Sequence, residues 1–223
     1  MSSTPKSASI FANAIAEHLE VVRQLREQQG VLEVIAKAMT ATLWTRGKIL
    51  WCGNGGSAGD SQHLAAEIVG RFRRERCGLA AMALTTDTSI LTSVANDYGF
   101  EAVFSRQVEA LGAPGDLLVG ISTSGTSCNV LAALETARAH GLVTVAFTGA
   151  GGGKMAALAD YIFAVDSMDT ARIQEAHMLA GHMLCDWIEL DWIHAQSEAT
   201  VPSALSQIGS MEFKRARPQE TAA

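Results

Sequence analysis

The stretch Lys48 to Ser57, KILWCGNGGS, decides the fold, because a short apolar run ends directly in a glycine-rich turn. The apolar half lacks polar alternation, which is typical of a strand that is covered on both faces. A second stretch, Leu117 to Ser127 (LLVGISTSGTS), has the same form. Helical periodicity follows each turn, so each stretch predicts a strand–loop–helix unit of a parallel sheet.

Further apolar runs alternate with helical segments on both sides of these two stretches. The predicted strands are Lys48–Cys52, Leu79–Leu84, Leu117–Ile121, Val143–Thr148 and Tyr161–Val165. The predicted helices are Ser57–Phe72, Ser89–Gly99, Glu101–Leu111, Ser127–His140, Lys154–Leu158 and Thr170–His194. We therefore predict an α/β fold with a central parallel sheet of five strands and right-handed crossovers.

Two amphipathic helices are predicted before the first strand, from Ile10 to Gln29 and from Val31 to Thr45. Gly30 is expected to end the first of them. We expect residues 1–46 to form N-terminal helices, 47–196 to form the α/β domain and 197–223 to form a flexible tail. The length of 223 residues suits one domain of this kind.

The bulk composition limits the classes of function. A formal net charge of -6 argues against a general nucleic-acid binder, because a phosphate backbone requires a basic surface. No apolar run approaches the roughly 20 residues that cross a bilayer, and the N-terminus lacks the apolar core of a secretion signal. The four cysteines form no metal-binding spacing and are expected as free thiols. We therefore expect a cytoplasmic protein that acts on neither nucleic acid nor membrane.

Ligands of open parallel sheets collect at the carboxyl ends of the strands, which directs attention to the two loops. The loop at 122–127 carries five hydroxyls in six residues, more than helix capping requires. Hydroxyls and the N–H groups of a helix start can hold a phosphate without a basic side chain. The loop at 52–57 has glycines that permit close approach, and Ser57 is predicted as the helix N-cap. Taken alone, this first loop is equally compatible with a tight turn that binds nothing.

Two helices carry polar side chains that could meet a ligand. His63 and Glu67 are four residues apart and share a helix face. An imidazole and a carboxylate on one face suit zinc binding or acid–base chemistry, although a plain surface pair is more common. Gln174 and His182 are eight residues apart and lie broadly on one side of the last helix. His177 on the same helix is expected to pack in the core.

Two smaller groups are open to more than one interpretation. Asn96 and Asp97 could bind sugar hydroxyls or form a helix-end cap before Gly99. A basic cluster follows the His63/Glu67 helix, where solvated side chains that complement the helix dipole are expected. Its members are Arg71, Arg73, Arg74 and Arg76.

Five segments together resemble one known family. They are Cys-Gly-Asn-Gly-Gly-Ser at 52–57, His-Leu-Ala-Ala-Glu at 63–67, Ala-Asn-Asp at 95–97, Gly-Ile-Ser-Thr-Ser-Gly at 120–125 and Arg-Ile-Gln-Glu-Ala-His at 172–177. In this order and at these separations they resemble the sedoheptulose 7-phosphate isomerases, or phosphoheptose isomerases, of the sugar isomerase (SIS) group. The similarity spans about Ile10 to His194.

The resemblance implies a flavodoxin-like three-layer sandwich, the SIS domain, with extra N-terminal helices that pack on the domain and on neighbouring subunits of a homotetramer. It implies a phosphorylated sugar as substrate and one zinc ion per subunit as cofactor. The substrate contacts that it implies are Asn54, Gly55, Gly56, Ser57, Glu67, Asn96, Asp97, Ser122, Thr123, Ser124, Ser127 and Gln174. The metal ligands that it implies are His63, Glu67, Gln174 and His182.

The activity that the resemblance implies is an aldose–ketose isomerisation. D-sedoheptulose 7-phosphate would become D-glycero-D-manno-heptose 7-phosphate, a precursor of heptose in glycoconjugates such as lipopolysaccharide. The reaction passes through an enediol, with Glu67 matching the base and His182 the acid–base group.

Two alternatives stay open. One is a related non-catalytic adaptor that binds the bacterial replication initiator and lacks this Glu and His. The other is an isomerase of a different sugar phosphate. A sugar-phosphate-sensing regulator would carry an additional DNA-binding module, for which the N-terminal stretch has too few basic residues.

Overall fold

The computed structural model describes residues 6–200, and the side chains of residues 9–196. The strands are β1 (Ile49–Gly53), β2 (Ala81–Ala83), β3 (Leu117–Ser122), β4 (Val143–Thr148) and β5 (Tyr161–Ala164). They form a single parallel sheet in the order β2–β1–β3–β4–β5. The five predicted strands are confirmed, and this order is that of a flavodoxin-like fold.

Helices account for most of the remaining chain. The α-helices are α1 (Lys6–Gln24), α2 (Gln29–Trp44), α3 (Gly56–Val69), α4 (Thr88–Tyr98), α5 (Ser105–Leu111), α6 (Cys128–Ala139) and α7 (Thr170–Thr200). The predicted helix Lys154–Leu158 is a 3₁₀ helix, Gly153–Ala157. Within residues 6–200, no helix has the length and apolar character to span a membrane.

The two ends of the chain differ in detail from the sequence prediction. The prediction that Gly30 ends the first helix is wrong, because the chain leaves α1 through a 3₁₀ turn, Leu25–Gln28, and Gly30 lies in the first turn of α2. Burial of Leu25 fixes this turn in the core. At the other end, α7 continues through residue 196, where the domain was predicted to end. The predicted tail beyond Thr200 lies outside the described residues.

Helices cover both faces of the sheet, so the molecule has three layers. Residues of α1, α2, α3 and α7 build the core on one face, and residues of α4, α5 and α6 build it on the other. Alternation along β1 shows the division directly: Ile49 and Trp51 belong to the first core, whereas Leu50 and Cys52 belong to the second. The predicted three-layer sandwich with additional N-terminal helices is confirmed.

His177 packs within the first core, as the sequence analysis expects. Its ring centroid lies 5.5 Å from that of Phe147 and 6.0 Å from that of Phe163. Its Nε2 lies 3.1 Å from the carbonyl oxygen of Thr148. Burial lowers the pKa of His177 to about 4, more than the hydrogen bond raises it. The imidazole is therefore neutral at pH 7 and has a packing role.

The strand order brings the loops after β1 and β3 side by side. Gly53 at the end of β1 pairs with Ile121 near the end of β3. From these neighbouring strands the chain departs in opposite directions, to β2 on one side and to β4 on the other. Such a reversal opens a crevice at the carboxyl ends of the strands, where ligands of this fold class bind. The two loops identified from sequence border this crevice.

Candidate functional site

The glycine loop, residues 53–56, turns the chain from β1 into α3. Gly55 is the N-cap of α3 and has a φ of 56°, a left-handed conformation that favours glycine. The prediction that Ser57 is the N-cap is wrong, because Ser57 lies inside the first helical turn and is buried. No side-chain acceptor caps the start of α3. Its first N–H groups therefore face the crevice without a capping side chain.

A reciprocal amide pair joins the two loops. Asn54 Nδ2 donates to Asn129 Oδ1 at 2.8 Å, and Asn129 Nδ2 donates to Asn54 Oδ1 at 2.9 Å. Asn129 is buried in the first turn of α6. Sequence reasoning missed Asn129, although its position offered a signal: it is an amide on a helix whose other buried residues, such as Val130 and Ala133, are mostly apolar. The pair fixes the glycine loop to the start of α6.

The hydroxyl loop, residues 122–127, presents a chain of side-chain oxygens. Ser122 Oγ lies 2.8 Å from Ser127 Oγ and 3.4 Å from Ser124 Oγ. Ser124 Oγ lies 3.0 Å from Thr126 Oγ1. Ser127 occupies the N-cap position of α6 without making a side-chain cap bond. Because a hydroxyl hydrogen rotates freely, these groups can turn together toward an anion at the helix start.

Backbone hydrogen bonds attach the hydroxyl loop to the loop between β4 and β5. Gly149 N donates to Thr123 O at 3.0 Å, and Met155 N donates to Gly125 O at 3.2 Å. Gly125 has a φ of 64°, and a Cβ there would collide with the carbonyl oxygen of Gly152. Only glycine therefore fits at the point where the two loops touch.

A cavity of about 270 Å³ lies between the glycine loop and the hydroxyl loop. Nine of the twelve predicted substrate contacts line it, and two further lining residues, Ile121 and Thr170, had no predicted role. The nine are Asn54, Gly55, Gly56, Ser57, Ser122, Thr123, Ser124, Ser127 and Gln174. Asn96 and Asp97 lie outside this lining, at the exposed end of α4, where Asn96 Nδ2 donates to Asp97 Oδ1 at 2.7 Å.

Glu67 and His182, predicted as the acid–base pair, lie together beside His63. His63 Nε2 is 3.0 Å from His182 Nε2 and 3.5 Å from Glu67 Oε1. The ring of Phe72 stacks on that of His182, with centroids 5.2 Å apart and planes 21° apart. Desolvation, followed by the charge of His63, lowers the pKa of His182, while Glu67 acts in the opposite sense. His182 is therefore neutral at pH 7 and able to accept a proton.

A close helix crossing brings these side chains together. Gly181 of α7 faces Leu64 of α3, and a Cβ on Gly181 would lie 2.6 Å from the methyl groups of Leu64. The next residue on α7 is His182, and the preceding residue on α3 is His63. A glycine in the interior of a long helix is a sequence signal for such a close approach. Sequence reasoning did not use it.

The cavity and the acid–base cluster are connected by the same two helices. Gly56 and Gln174 line the cavity at one end. His63 and Glu67 follow Gly56 by about two and three turns of α3, and His182 follows Gln174 by about two turns of α7. A ligand held at the hydroxyl loop can therefore extend along α3 and α7 toward the acid–base cluster.

The predicted metal ligands fit a zinc site in part. Two Zn–N bonds of about 2.0–2.1 Å at a tetrahedral angle separate their nitrogens by roughly 3.4 Å. His63 Nε2 and His182 Nε2 are 3.0 Å apart, and Glu67 adjoins His63. Gln174 lies against Gly56 and lines the cavity. In the part of the chain that is described, no group of three or more His, Cys, Asp or Glu side chains is placed to hold a metal ion. Zinc therefore stays a prediction.

Comparison with known proteins places the chain in a family. Residues 11–149 match the model of the SIS domain. A phosphoheptose isomerase of Roseiflexus sp. is 57% identical over 156 residues, which cover 70% of this chain and 79% of that protein. A phosphoheptose isomerase of Akkermansia muciniphila is 55% identical over 159 residues, covering 71% and 84%.

Solved structures agree with the sequence relatives. A phosphoheptose isomerase from Neisseria gonorrhoeae has a TM-score of 0.74 at 48% identity and covers 82% of this chain and 97% of its own. One from Francisella tularensis has a TM-score of 0.76 at 39% identity, covering 84% and 98%. The chain belongs to the SIS domain family and, within it, to the phosphoheptose isomerases.

Replacing Gly56 with alanine is expected to weaken binding of a sugar phosphate without unfolding the protein. A Cβ on Gly56 would collide with the amide of Gln174, the end of a flexible side chain that can swing away. Losing one polar contact in the cavity should lower affinity roughly five- to tenfold. Isothermal titration with a sugar phosphate measures the change.

Gly59→Ala is the matched control for this substitution. It lies in the same helix, and a Cβ there would meet no atom within 4 Å. Affinity should stay at the wild-type value, and the alanine should raise helix stability by about 1 kcal/mol. Equal affinities of the two variants would contradict the role given to Gly56.

Proposed function

We propose that the protein is an aldose–ketose isomerase that converts D-sedoheptulose 7-phosphate to D-glycero-D-manno-heptose 7-phosphate. One observation carries the proposal: a hydroxyl-lined cavity and a Glu67/His182 pair lie along the same two helices, α3 and α7. The phosphoheptose isomerases of Roseiflexus and Neisseria gonorrhoeae support it by their similarity.

In this proposal, the phosphate binds at the hydroxyl loop. Ser122, Thr123, Ser124 and Ser127 supply neutral donors, and the start of α6 adds a favourable dipole of about 0.3–1 kcal/mol for an anion. Because these donors bind an anion without basic side chains, a phosphate site is compatible with the chain's net charge of -6. Asn54, the glycine loop and Gln174 then border the sugar. Asn96 and Asp97 are retained as candidate contacts to its hydroxyls.

The proposed reaction moves one proton between neighbouring carbons and one between their oxygens. Glu67 removes a proton from C1 of the ketose and returns it to C2 of the enediol. His182 gives a proton to the oxygen on C2 and receives one from the oxygen on C1. Burial and the charge of His63 lower the pKa of His182, so the imidazole has to take up a proton before it gives one to the oxygen on C2. Phe72 stacks on the imidazole and restricts its rotation.

The presence of Glu67 and His182 also favours the proposal over its main alternative. The adaptor that binds the replication initiator lacks the Glu and the His, whereas this chain has both and places them side by side through His63. A different sugar phosphate as substrate is tested by the same isomerisation assay with pentose and hexose phosphates.

Zinc forms part of the proposal, with His63, Glu67 and His182 as ligands and Gln174 as the fourth predicted ligand. The close pair of imidazole nitrogens and the neutral state of His182 support it. When bound, the ion would polarise the oxygens on C1 and C2 and stabilise negative charge that develops there.

We also propose a cytoplasmic homotetramer. Four apolar side chains of α1 are 61–68% exposed in the single chain: Ile10, Phe11, Ile15 and Leu19. An apolar stripe of this kind requires a covering surface, which supports the predicted role of the N-terminal helices in subunit packing. A mass of four chains of 23.6 kDa in light scattering agrees with the assembly, and a monomer contradicts it.

Glu67→Gln should strongly lower turnover and retain ligand binding. The amide cannot accept the carbon-bound proton, so kcat should fall about 100- to 10,000-fold. Glu67 does not line the cavity at the hydroxyl loop, so titration should still show binding of the sugar phosphate. Glu135→Gln, an exposed change on α6, is the control and should keep wild-type turnover. Normal turnover of Glu67→Gln would refute the base assignment.

Removal of zinc by dialysis against a chelator should lower turnover, and added zinc should restore it. His63→Ala, which leaves Glu67 and His182 in place, should reduce the zinc content measured by mass spectrometry of the purified protein. Full turnover in protein that contains no zinc would contradict the metal part of the proposal and leave the acid–base part intact.

A further inference from the structure

A buried ion pair behind the acid–base cluster has no role in the proposed reaction. Arg76 lies in the loop that follows α3, and Glu189 lies on α7. Their side chains are 1% and 0% exposed, and Arg76 Nε is 3.4 Å from Glu189 Oε1. Burying both charges is costly, so such pairs persist only where further hydrogen bonds satisfy them. The expectation that the arginines after α3 are all solvated is therefore wrong for Arg76.

The guanidinium of Arg76 binds the C-terminal end of α3. Its Nη2 donates to the backbone carbonyl of Glu67 at 2.8 Å. Its Nη1 donates to the carbonyls of Gly70 at 3.1 Å and Cys77 at 3.0 Å. The last carbonyls of a helix lack partners within the helix. Arg76 donates hydrogen bonds to such carbonyls, and one of them belongs to Glu67, the proposed base.

The carboxylate of Glu189 binds the turn that follows α3. It accepts from the backbone N–H groups of Phe72 at 2.6 Å, Arg73 at 2.8 Å and Arg74 at 3.0 Å. Hydrogen bonds to a charged acceptor are shorter and stronger than neutral ones. Three of them on successive residues fix the backbone from which Phe72 stacks on His182.

One face of α7 carries His182 together with Asp186 and Glu189, the two carboxylates that bind the turn after α3. His182, Asp186 and Glu189 follow each other at spacings of four and three residues, so they share one face. Asp186 pairs with Arg73 at 3.2 Å and also with Arg74. The turn after α3 is therefore attached to α7 along two helical turns beyond His182.

We infer that Arg76 and Glu189 are positioning residues for the isomerisation. Arg76 fixes the end of α3 at Glu67, and Glu189 fixes Phe72 against His182, so one ion pair sets the separation of the two acid–base groups. This inference rests on the proposed function. Neither residue touches the cavity or the reacting atoms.

A positioning role and a purely structural role of the ion pair lead to different kinetics. Misplacing an acid–base group by about 1 Å can lower the rate roughly 100-fold while binding persists. Glu189→Gln should therefore lower kcat roughly 10- to 100-fold and leave KM nearly unchanged, because the hydroxyl loop is distant from the change. A purely structural pair would alter the melting temperature and leave kcat of the folded protein intact.

A double-mutant cycle with Phe72→Leu tests the route of the effect. Phe72→Leu removes the stacked ring and leaves the ion pair, so it should lower kcat to a similar extent. If Glu189 acts through Phe72, the double variant should be no slower than Glu189→Gln alone, because coupled residues are not additive. Glu109→Gln, which breaks an exposed ion pair with Arg106 at 2.8 Å, is the matched control and should keep wild-type kcat.

The ring resonance of His182 in protein with isotope-labelled histidine provides a readout that needs no turnover. It is assigned by its absence in His182→Gln. Glu189→Gln and Phe72→Leu should both shift it, and Glu109→Gln should not. If wild-type protein fails to isomerise any sugar phosphate, the proposed function falls, while this shift still decides whether Glu189 positions His182 through Phe72.

The inference is overturned if Glu189→Gln retains wild-type kcat, or if the losses in kcat of the two single variants multiply in the double variant. It is also overturned if the His182 resonance does not move in Glu189→Gln. If Glu189→Gln does not fold, Arg76→Lys takes its place with the same expected results, because it keeps the charge and loses the hydrogen bonds to the carbonyls of Glu67 and Gly70. A lowered kcat with a shifted His182 resonance supports the inference, and wild-type values of both overturn it.

Discussion

The parallel pairing of β1 with β3 is the constraint on which the rest of the site depends. Gly53 opposes Ile121 at the centre of the sheet, and the chain departs from the two strands in opposite directions. Two loops with different chemistry therefore meet at one edge: one brings glycine and an amide, the other brings hydroxyls. The Asn54–Asn129 amide pair then fixes the loops to each other.

From this edge the site extends along α3 and α7. The close crossing at Leu64 and Gly181 brings His63 next to His182. In the proposed reaction, rotatable donors and backbone N–H groups bind the phosphate, whereas a carboxylate and an imidazole in a fixed relation transfer the protons. The fold places the first set on loops at the sheet and the second on helices held by the buried Arg76–Glu189 pair.

Local patterns were sufficient to predict the strands, the hydroxyl loop and the Glu67/His63 face, because each depends on neighbours within a few residues. The strand order followed from the resemblance. Apart from the Glu67/His182 pair, which the resemblance implied, features that depend on distant residues were not predicted. Asn129 is joined to the site by its hydrogen bonds to Asn54, 75 residues away, and Arg76 pairs with Glu189, 113 residues further along the chain. The cap of α3 was misplaced because Ser57 is drawn into the helix by the tight turn at Gly55.

The most direct test of this active site is a crystal structure of the Glu67→Gln variant with D-sedoheptulose 7-phosphate. The phosphate is expected against Ser122 and Ser127, and C1 and C2 of the same molecule are expected between residue 67 and His182. A sugar whose phosphate occupies the hydroxyl loop while C1 and C2 contact neither residue, in any subunit, would contradict this arrangement.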